Sequence, residues 1–305
     1  MLASTPQLPP PRVILAAVML LSAELCFASV SALVKYLSVE LASEQLVFFR
    51  NIMAFLVLLP WLWRKGPSAF KTVALKFHLT RGIAGLAAMY LFFYAIAALP
   101  LAQATLVLLL TPFLIPIIGH FWLGEQAGRQ TWVAIAIGFV GVFVFLNPVH
   151  MTLSPALLLA FTAAVLAAYT KTLIRRMSAT ESTSKIVFYF ACLATLISAL
   201  PLFWHWRAIA PEHWSALIGM GALATAGQLG MTKAFSLAPA ASVGVFTYSS
   251  VIFAAIFGYV FWDEPVFWHM AIGTLIIMVA GYFALRSHRR PRSVAPDPQA
   301  PNSDP

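Results

Sequence analysis

The chain has 305 residues, of which 61% are hydrophobic and 10% are charged, and its formal net charge at pH 7 is +9. A composition this apolar excludes a water-soluble domain and predicts a protein that crosses a membrane several times. The positive charge does not indicate a nucleic-acid partner, because the basic residues lie in short gaps between apolar runs. The two cysteines, Cys26 and Cys192, lie inside apolar segments, which favours packing residues over a disulfide or a metal pair.

Membrane spans follow from the apolar runs, since a helix needs about 20 apolar residues to cross a bilayer. The first run is too long for a signal peptide and is followed by further apolar runs, so we interpret it as a membrane helix. Ten stretches qualify: 13–34, 46–63, 79–98, 102–122, 131–147, 153–173, 186–206, 214–233, 240–262 and 268–285. The gaps between them are too short to hold a soluble domain.

The orientation of these spans follows from the lysines and arginines, which are enriched in cytoplasmic loops. With the N-terminus inside and ten alternating spans, 16 of the 19 basic residues fall on the cytoplasmic side. The outer side keeps only Lys35, Arg50 and Arg207. This distribution predicts a multi-pass protein with both termini in the cytoplasm.

The two halves of the chain resemble each other, since residues 97–125 align with residues 236–264 at an offset of about 139. The aligned pairs include Pro100 with Pro239, Gly119 with Gly258, and Glu125 with Glu264. Each half holds five spans, an odd number, so the halves must lie in opposite orientations. Inverted repeats are typical of secondary transporters, whose substrate site lies near the midplane between the halves.

The predicted domain organisation follows from this repeat. The four parts are a cytoplasmic N-terminal tail (1–12), a first five-helix repeat (13–148), a second five-helix repeat (149–286) and a disordered cytoplasmic tail (287–305). The last part is rich in proline and polar residues, which predicts disorder.

Several motifs resemble the drug/metabolite transporter superfamily, and within it the EamA type. They are FFRN (48–51), RGIAGLAAMYLFFYAIAALPLAQATLVLLLTPFLIPII (81–118), GEQAGRQTWVAIAIGFVGVFVFL (124–146) and its counterpart DEPVFWHMAIGTLIIMVAGYFAL (263–285). The resemblance covers about residues 13 to 285. It implies an all-α integral membrane fold, in which ten transmembrane helices form two inverted five-helix repeats in a bacterial inner membrane.

The function implied by this resemblance is secondary active transport of a small polar or zwitterionic, amino-acid-derived metabolite. We expect efflux by alternating access, with proton coupling left open. The alternative is an uptake carrier for a vitamin or a nucleoside-like metabolite, because residues 34–60 are similar to members that carry S-adenosylmethionine or riboflavin. An intramembrane enzyme is a remote alternative, since the sequence has no HExxH or GxSxG motif and no deep aspartate.

Glu24 is the only acidic residue deep in any predicted span. A charge at bilayer depth is costly, so such a residue normally faces the bundle interior or a water-filled cavity. Glu24 could carry a proton, hold the ammonium group of a substrate, or make a structural bond between helices. Its counterpart in the second half is Val165, so any site at Glu24 is asymmetric.

Other polar residues in the spans are candidates for the same cavity. Arg50 could attract anionic groups or pair with Glu24, Glu40 or Glu44, and Lys35 is interpreted as an interface residue. Tyrosines can stack on planar substrates, but each is more often a packing residue. The remaining candidates for a substrate or proton site are Tyr90, Tyr94, Tyr169, Gln228 and Tyr248, with Gln103 and His120 as weaker ones.

Proline and glycine in the spans predict bends and close helix contacts. Pro112 and Pro116 each remove a backbone hydrogen bond, which predicts a kink that serves either a gate or a static bend. The glycines of residues 138–141, 219–221 and 227–230 are interpreted as packing residues. Glu125 and Glu264 are expected to cap or tether the next helix.

The expected partners are a small-molecule substrate and the lipid bilayer, with protons as a candidate coupling ion. We expect no nucleic acid, no cofactor and no metal, and a monomer or homodimer. No P-loop is present, so an ion gradient or the substrate gradient would supply the energy.

Overall fold

The computed structural model describes residues 10–66, 71–123, 129–147, 154–177, 180–237 and 244–287, and every regular element among them is helical. The first half contains α1 (Pro10–Leu37), α2 (Ser43–Lys65), α3 (Leu75–Ala98), α4 (Leu101–Leu108), α5 (Thr111–Leu123) and α6 (Arg129–Leu146). The second half contains α7 (Pro155–Met177), α8 (Thr183–Ala199), the one-turn α9 (Leu202–His205), α10 (His213–Leu237), a 3₁₀ turn (Gly244–Tyr248), α11 (Ser249–Trp262) and α12 (Trp268–Ser287). The prediction of an all-α protein is confirmed for these residues.

Five helical stretches are long and apolar enough to cross a membrane. They are Ile14–Leu37, Ser43–Pro60, Leu75–Ala98, Leu101–Trp122 and Pro155–Ile174. Four shorter apolar helices are Trp132–Leu146, Lys185–Ala199, Phe246–Trp262 and Trp268–Phe283. The count of ten spans therefore stays a prediction, and most of the two predicted tails lies outside the described residues, as does Glu125.

The predicted span 186–206 differs from the structure, because α8 ends at Ala199. Pro201 follows two residues later, and a proline restricts the residue before it and cannot donate to the helix ladder. The chain instead forms the short helix α9. Pro60, which lies 141 residues before Pro201 near the end of the second predicted span, stays inside α2.

The helices of one half pack mainly on helices of the other half. The most extensive pairings are α1 with α10, α3 with α7, and α6 with α12. α1 and α7 are the first spans of the two predicted repeats, and α3 and α10 are the third spans. Exchanging the two halves therefore converts the first pairing into the second, so the same packing scheme occurs twice.

Small residues allow these close contacts. A Cβ atom added at Gly82 would lie 2.9 Å from Leu193 of α8, and one at the aligned Gly221 would lie 2.5 Å from Met53 of α2. Small residues let helix backbones approach and gain van der Waals contact, which drives helix association in lipid. Gly219 is an exception to the predicted packing role, because nothing lies within 4 Å of the corresponding Cβ position.

Side chains between the helices connect the two halves at both ends of the bundle. At one end Lys35 forms an ion pair with Glu264, and Gln45 Nε2 donates to the Arg207 carbonyl at 2.8 Å. At the other end Glu181 accepts a hydrogen bond from Thr72. The first set lies where α1 ends and α2 begins, and the second lies between α2 and α3. We call these the Lys35 end and the Glu181 end.

Candidate functional site

Glu24 lies in the middle of α1 and is only 4% exposed. This part of α1 packs tightly on α10, since a Cβ added at Gly227 would meet Phe27 at 2.9 Å and the Ala23 carbonyl at 3.2 Å. The Glu24 carboxylate interacts with the Ser250 hydroxyl of α11 and, through space, with the Lys171 ammonium group of α7. Glu24 therefore belongs to the first half, and both of these polar neighbours belong to the second.

Ser250 is positioned by a break in the helix. The 3₁₀ turn Gly244–Tyr248 runs directly into α11, and the Ser250 hydroxyl donates to the Thr247 carbonyl at 2.9 Å. The first half repeats this arrangement between α4 and α5, where the Thr111 hydroxyl donates to the Leu108 carbonyl at 2.5 Å. Thr111 and Ser250 are separated by the same offset as the aligned repeat segments, so the two breaks correspond.

The predicted kink of the fourth span is this break between α4 and α5. Pro112 has no N–H to donate to the Leu108 carbonyl four residues earlier, and the Thr111 hydroxyl occupies that acceptor instead. Pro116 lies inside α5, which continues through it. A gating role for either proline stays a prediction.

Lys171 lies near the cytoplasmic end of the predicted span 153–173, and the structure places it inside α7, six residues before that helix ends. Its side chain is exposed, although it interacts electrostatically with the buried Glu24. The sequence signal that could have identified it is a lysine in register with the alanines of an apolar helix. Lys171 is the polar partner that sequence reasoning did not find for Glu24.

Arg50 and two predicted tyrosines form a separate group between α2 and α3. Arg50 is half-buried, and one of its guanidinium nitrogens lies 3.3 Å from Asn51 Oδ1 and 3.5 Å from Met89 Sδ. Glu44 instead accepts a hydrogen bond from the Tyr94 hydroxyl at 2.6 Å. The buried hydroxyl of Tyr90 has no hydrogen-bond partner among the described residues.

The geometry corrects one sequence expectation for Arg50. Pairing with Glu24, Glu40 or Glu44 was one of its predicted roles, and none of these three described carboxylates forms an ion pair with it. Within the described residues Arg50 contacts an amide oxygen and a thioether sulfur, which leave most of its donors for other groups.

The remaining predicted residues are distributed over the bundle. Tyr169 packs against Trp122 with ring centroids 5.2 Å apart. Tyr248 is buried in the core beside Phe113, and its ring covers Gly281 of α12. Gln228 is half-buried on α10, and His120 of α5 packs edge-on to Trp132 at 5.7 Å. Among the predicted site residues that the structure describes, Glu24 is the one with Lys171 and Ser250 as polar neighbours.

Lys35 and Glu264 differ from their sequence interpretation. Lys35 is not a solitary interface lysine, because it pairs with Glu264 and donates to the Leu99 carbonyl at 2.9 Å. Glu264 Oε2 accepts the N–H of Leu101, the first residue of α4, at 2.8 Å. Glu264 therefore caps a helix of the opposite half and not the next helix, and it packs back over Gly258, where a Cβ atom would clash with its carboxylate.

Two other kinds of site find no support in the described parts of the chain. No group of three or more histidine, cysteine or acidic side chains is placed to hold a metal ion within those ranges. A surface groove of about 530 Å³ lies at the start of α7, but none of the predicted site residues lines it.

Comparison with known proteins identifies the family. The model of the EamA-like transporter family matches residues 14–147 and matches again over residues 154–286. The chain belongs to the EamA-like transporter family. Together with the apolar helices, this membership indicates a bacterial inner membrane protein and a transporter rather than an enzyme.

Curated EamA-like relatives carry different substrates. A pseudopaline exporter of Pseudomonas aeruginosa is 32% identical over 260 residues, which are 84% of this chain and 91% of that protein. An S-adenosylmethionine uptake transporter of Rickettsia prowazekii is 27% identical, with 85% and 88% covered. A riboflavin transporter of Vibrio cholerae is 28% identical, with 92% and 97% covered. These relatives support a transporter of small metabolites.

The fold has a counterpart among solved structures. A crystal structure that is 19% identical in sequence superposes with a TM-score of 0.63, covering 90% of this chain and 98% of that one. At this identity the likeness concerns the fold alone.

Proposed function

We propose that this EamA-like protein is a secondary active transporter that exports a small polar or zwitterionic, amino-acid-derived metabolite across the inner membrane. The observation that carries the proposal is the buried Glu24 carboxylate, which lies in the middle of α1 and faces Ser250 and Lys171 of the other half. An acidic group at this place in an apolar helix marks a substrate or proton pathway. Substrate sites between the halves are typical of carriers built from inverted repeats.

The transport cycle would proceed by rocking of the two five-helix halves around Glu24. The duplicated pairings of α1 with α10 and α7 with α3 support this, because each half can swap roles with the other. The helix breaks before α5 and α11 support it as well, since broken helices free backbone groups at the binding site of many carriers. In this cycle Glu24 either releases and takes up a proton or binds a cationic group of the substrate.

The orientation belongs to the same proposal. Excess lysine and arginine at the Glu181 end support a cytoplasmic position for that end and for both termini, with the Lys35 end outside. The cross-half contacts Lys35–Glu264 and Gln45–Arg207 then close the outer end in this structure. In this orientation a substrate path to Glu24 would lead from the cytoplasm, where an exporter collects its substrate.

Uptake is the second candidate function. The observation that favours it is the similarity to uptake transporters for S-adenosylmethionine and to riboflavin transporters, which covers most of the chain. The exporter relative has the higher identity over a similar length, which is why we propose export.

The direction and the substrate are tested by comparing metabolites inside and outside cells that lack or overproduce the protein. We expect one polar metabolite to accumulate outside on overproduction and inside on deletion. The reverse pattern would replace export by uptake. No change in any compound would contradict the transport proposal.

The role of Glu24 is tested by the Glu24→Gln variant, which keeps the shape of the side chain and removes its charge. We predict loss of transport of the identified metabolite, or transport that no longer responds to pH, measured in proteoliposomes. Glu212→Gln is the matched control, because Glu212 is exposed and lies just before α10. This variant should transport normally. Full transport with unchanged pH dependence in Glu24→Gln would remove Glu24 from the mechanism.

A further inference from the structure

The segment that joins α8 to α10 is attached to the first half at the Lys35 end. We call this segment, residues 201–213, the strap. Gln45 of α2 is 0% exposed and holds the strap by two hydrogen bonds. Its Nε2 donates to the Arg207 carbonyl at 2.8 Å, and its Oε1 accepts the Arg207 N–H at 3.2 Å. The Arg207 guanidinium donates to the Glu40 carbonyl at 3.0 Å. The strap of the second half therefore closes over the connection between α1 and α2.

Two histidines of the strap face carboxylates of the first half. His213 Nδ1 lies 3.7 Å from Glu40 Oε2, and His205 Nδ1 lies 4.0 Å from Glu44 Oε1. Both distances are too long for hydrogen bonds, but they are short enough for ion pairs when the rings are protonated. Histidine is the side chain whose charge ordinarily changes between about pH 5 and pH 8, a range in which glutamate is ionised. Protonation of the two rings would therefore add attraction between the halves.

His213 is the more tightly enclosed of the two histidines. It is only 5% exposed, and its buried Nδ1 has no hydrogen-bond partner among the described residues. Buried polar atoms are rarely left without a partner, so this nitrogen calls for an explanation. The Tyr36 ring packs edge-on to the imidazole, with the ring centroids 6.1 Å apart. A proton on Nδ1 would allow the ring to donate to the Glu40 carboxylate across the 3.7 Å gap.

The surroundings of the two histidines contain other charged or titratable groups. Tyr94 donates to Glu44 at 2.6 Å, which leaves that carboxylate further acceptor positions for His205. The end of α8, which packs on α9, has no charged residue between 193 and 199. The remaining groups belong to residue types whose charge does not ordinarily change between about pH 5 and pH 8. On α1, α2, α3 and the strap these are Lys35, Tyr36, Arg50, Tyr94, Arg207 and Glu212.

We propose that the strap is a proton-sensitive latch, in which protonated His213 and His205 pair with Glu40 and Glu44 and hold the Lys35 end closed. The inference rests on the proposed transport cycle and adds control by pH to it. When the halves separate at this end, the histidines lose their carboxylate neighbours and bind protons less tightly. Because such coupling is reciprocal, proton binding favours the closed end. In the proposed orientation acid outside the cell would slow the release of an exported substrate.

The test measures how far the Lys35 end opens at two pH values. Val39 of the first half is 76% exposed, and Ala208 of the strap is also exposed. Both are changed to cysteine and spin-labelled in a full chain whose Cys26 and Cys192 have been replaced by alanine. Pulsed electron paramagnetic resonance in nanodiscs then gives the populations with a short and a long distance between the labels. We expect the ratio of short to long to rise about threefold from pH 8 to pH 5, the scale of an exposed ion pair.

Variants assign this response to the two pairs. The double variant His213→Gln/His205→Gln should lose the response. Glu40→Gln removes a carboxylate whose side chain is 64% exposed, so the chain should fold normally and the response should shrink. His205→Lys carries a positive charge throughout and should raise the closed population at pH 8. His269→Gln is the matched control, because His269 Nδ1 lies 2.9 Å from the Phe145 carbonyl and no described carboxylate lies within 4.0 Å of it. This control should keep the full response.

The outcomes separate the latch from the transport proposal. A wild-type ratio that does not change with pH would overturn the latch. A full response in the double histidine variant would show that other groups bind the protons, which overturns it as well. The distance measurement needs no substrate, so it is independent of the metabolite comparison. If that comparison names an exported compound while the distances ignore pH, transport stands without the latch. If the distances respond and no compound changes, the transport proposal fails alone.

Discussion

Glu24 is the residue that the sequence singled out, and its setting shows what one sequence can and cannot reveal. A carboxylate in the middle of an apolar run is conspicuous, because burial of an isolated charge is costly. Its neighbours Ser250 and Lys171 are not conspicuous, since both lie in the other half and no local pattern connects them to α1. Lys171 counts toward the cytoplasmic charge excess because it lies near the end of the predicted span 153–173, and nothing in that position connects it to Glu24.

The tyrosines show the same limit at the level of single residues. Spacing on a helix predicts that Tyr90 and Tyr94 share a face, which is a property of one helix. Whether that face lines a cavity depends on neighbouring helices. In the structure Tyr94 donates to Glu44 and Tyr248 is buried in the core, so neither is grouped with Glu24.

Glu181 gives a prediction about pH at the Glu181 end. Its side chain is 2% exposed, pairs with Lys185 at 2.7 Å and accepts hydrogen bonds from Thr72 and from the Val73 N–H at 3.1 Å. Burial alone raises the pKa of this carboxyl, but the bonds from Lys185, Thr72 and Val73 outweigh it and hold the pKa below the ordinary 4.5. The folded protein therefore gains stability while Glu181 is ionised.

When folding lowers the pKa of a carboxyl group, the ionised group stabilises the folded protein at pH values above its pKa in the unfolded state. This stabilisation is lost as the pH falls through its pKa in the folded state. We predict that Glu181→Gln lowers the free energy of unfolding by about 1–3 kcal/mol at neutral pH. The difference from wild type should shrink as the pH falls below 4.5 and the wild-type carboxyl becomes protonated. Denaturant unfolding in detergent at a series of pH values measures this difference in unfolding free energy. Glu212→Gln, at an exposed position, is the control. A difference that does not change with pH would contradict the argument.

At the scale of elements, the helix breaks link local chemistry to the site. A proline in the fourth span predicts a break, and the structure places it between α4 and α5. The corresponding break before α11 has no proline at the aligned position, where Val251 replaces Pro112, so proline alone could not have predicted it. What the two breaks share is a hydroxyl that bonds to the carbonyl three residues earlier, as Thr111 and Ser250 both do. Such bonds compete with the helix ladder.

The junction of α1, α4 and α11 gives a second prediction. Lys35 and Glu264 have side chains only 14% exposed, and Glu264 also satisfies the first N–H of α4. In the Lys35→Met variant a mostly buried carboxylate loses its counter-charge, which should cost about 1–3 kcal/mol. The measurement is the melting temperature of the purified protein, which should fall.

Two further variants make this prediction specific to the ion pair. Lys35→Arg keeps a charge and should melt near the wild type, and adding Glu264→Gln to Lys35→Met should recover part of the loss, because the two sites are coupled. Lys76→Met, which removes an exposed lysine from the first turn of α3, should have no effect. If the Lys35→Met variant melts at the wild-type temperature, the Lys35–Glu264 ion pair adds nothing to stability.

At the scale of the whole molecule, the helix order follows from hydropathy, and the pairing of helices follows from the repeat. The family model matches twice, over ranges close to the predicted repeats 13–148 and 149–286. The sequence could not predict that each half packs chiefly on the other, because apolar helices have many possible partners. Glycines favour the observed helix pairs, because their close contacts need those pairs. Gly82 contacts Leu193 only when α3 packs on α8, and Gly221 contacts Met53 only when α10 packs on α2.

The orientation in the membrane gives the last prediction. If ten spans alternate from a cytoplasmic N-terminus, the connection between α1 and α2 lies outside and the connection between α2 and α3 lies inside. Val39 and Val73 report on these connections, since they are 76% and 88% exposed. Each is changed to cysteine in a chain whose own Cys26 and Cys192 have been replaced by alanine. An impermeant maleimide should label Val39→Cys in intact cells and Val73→Cys only after the membrane is opened.

The reverse pattern would invert the topology and place the Lys35–Glu264 contact at the cytoplasmic face. A closed contact at the cytoplasmic face would favour uptake over the proposed export. Labelling of both positions in intact cells would contradict an odd number of spans between them, and with it the inverted arrangement of the two halves.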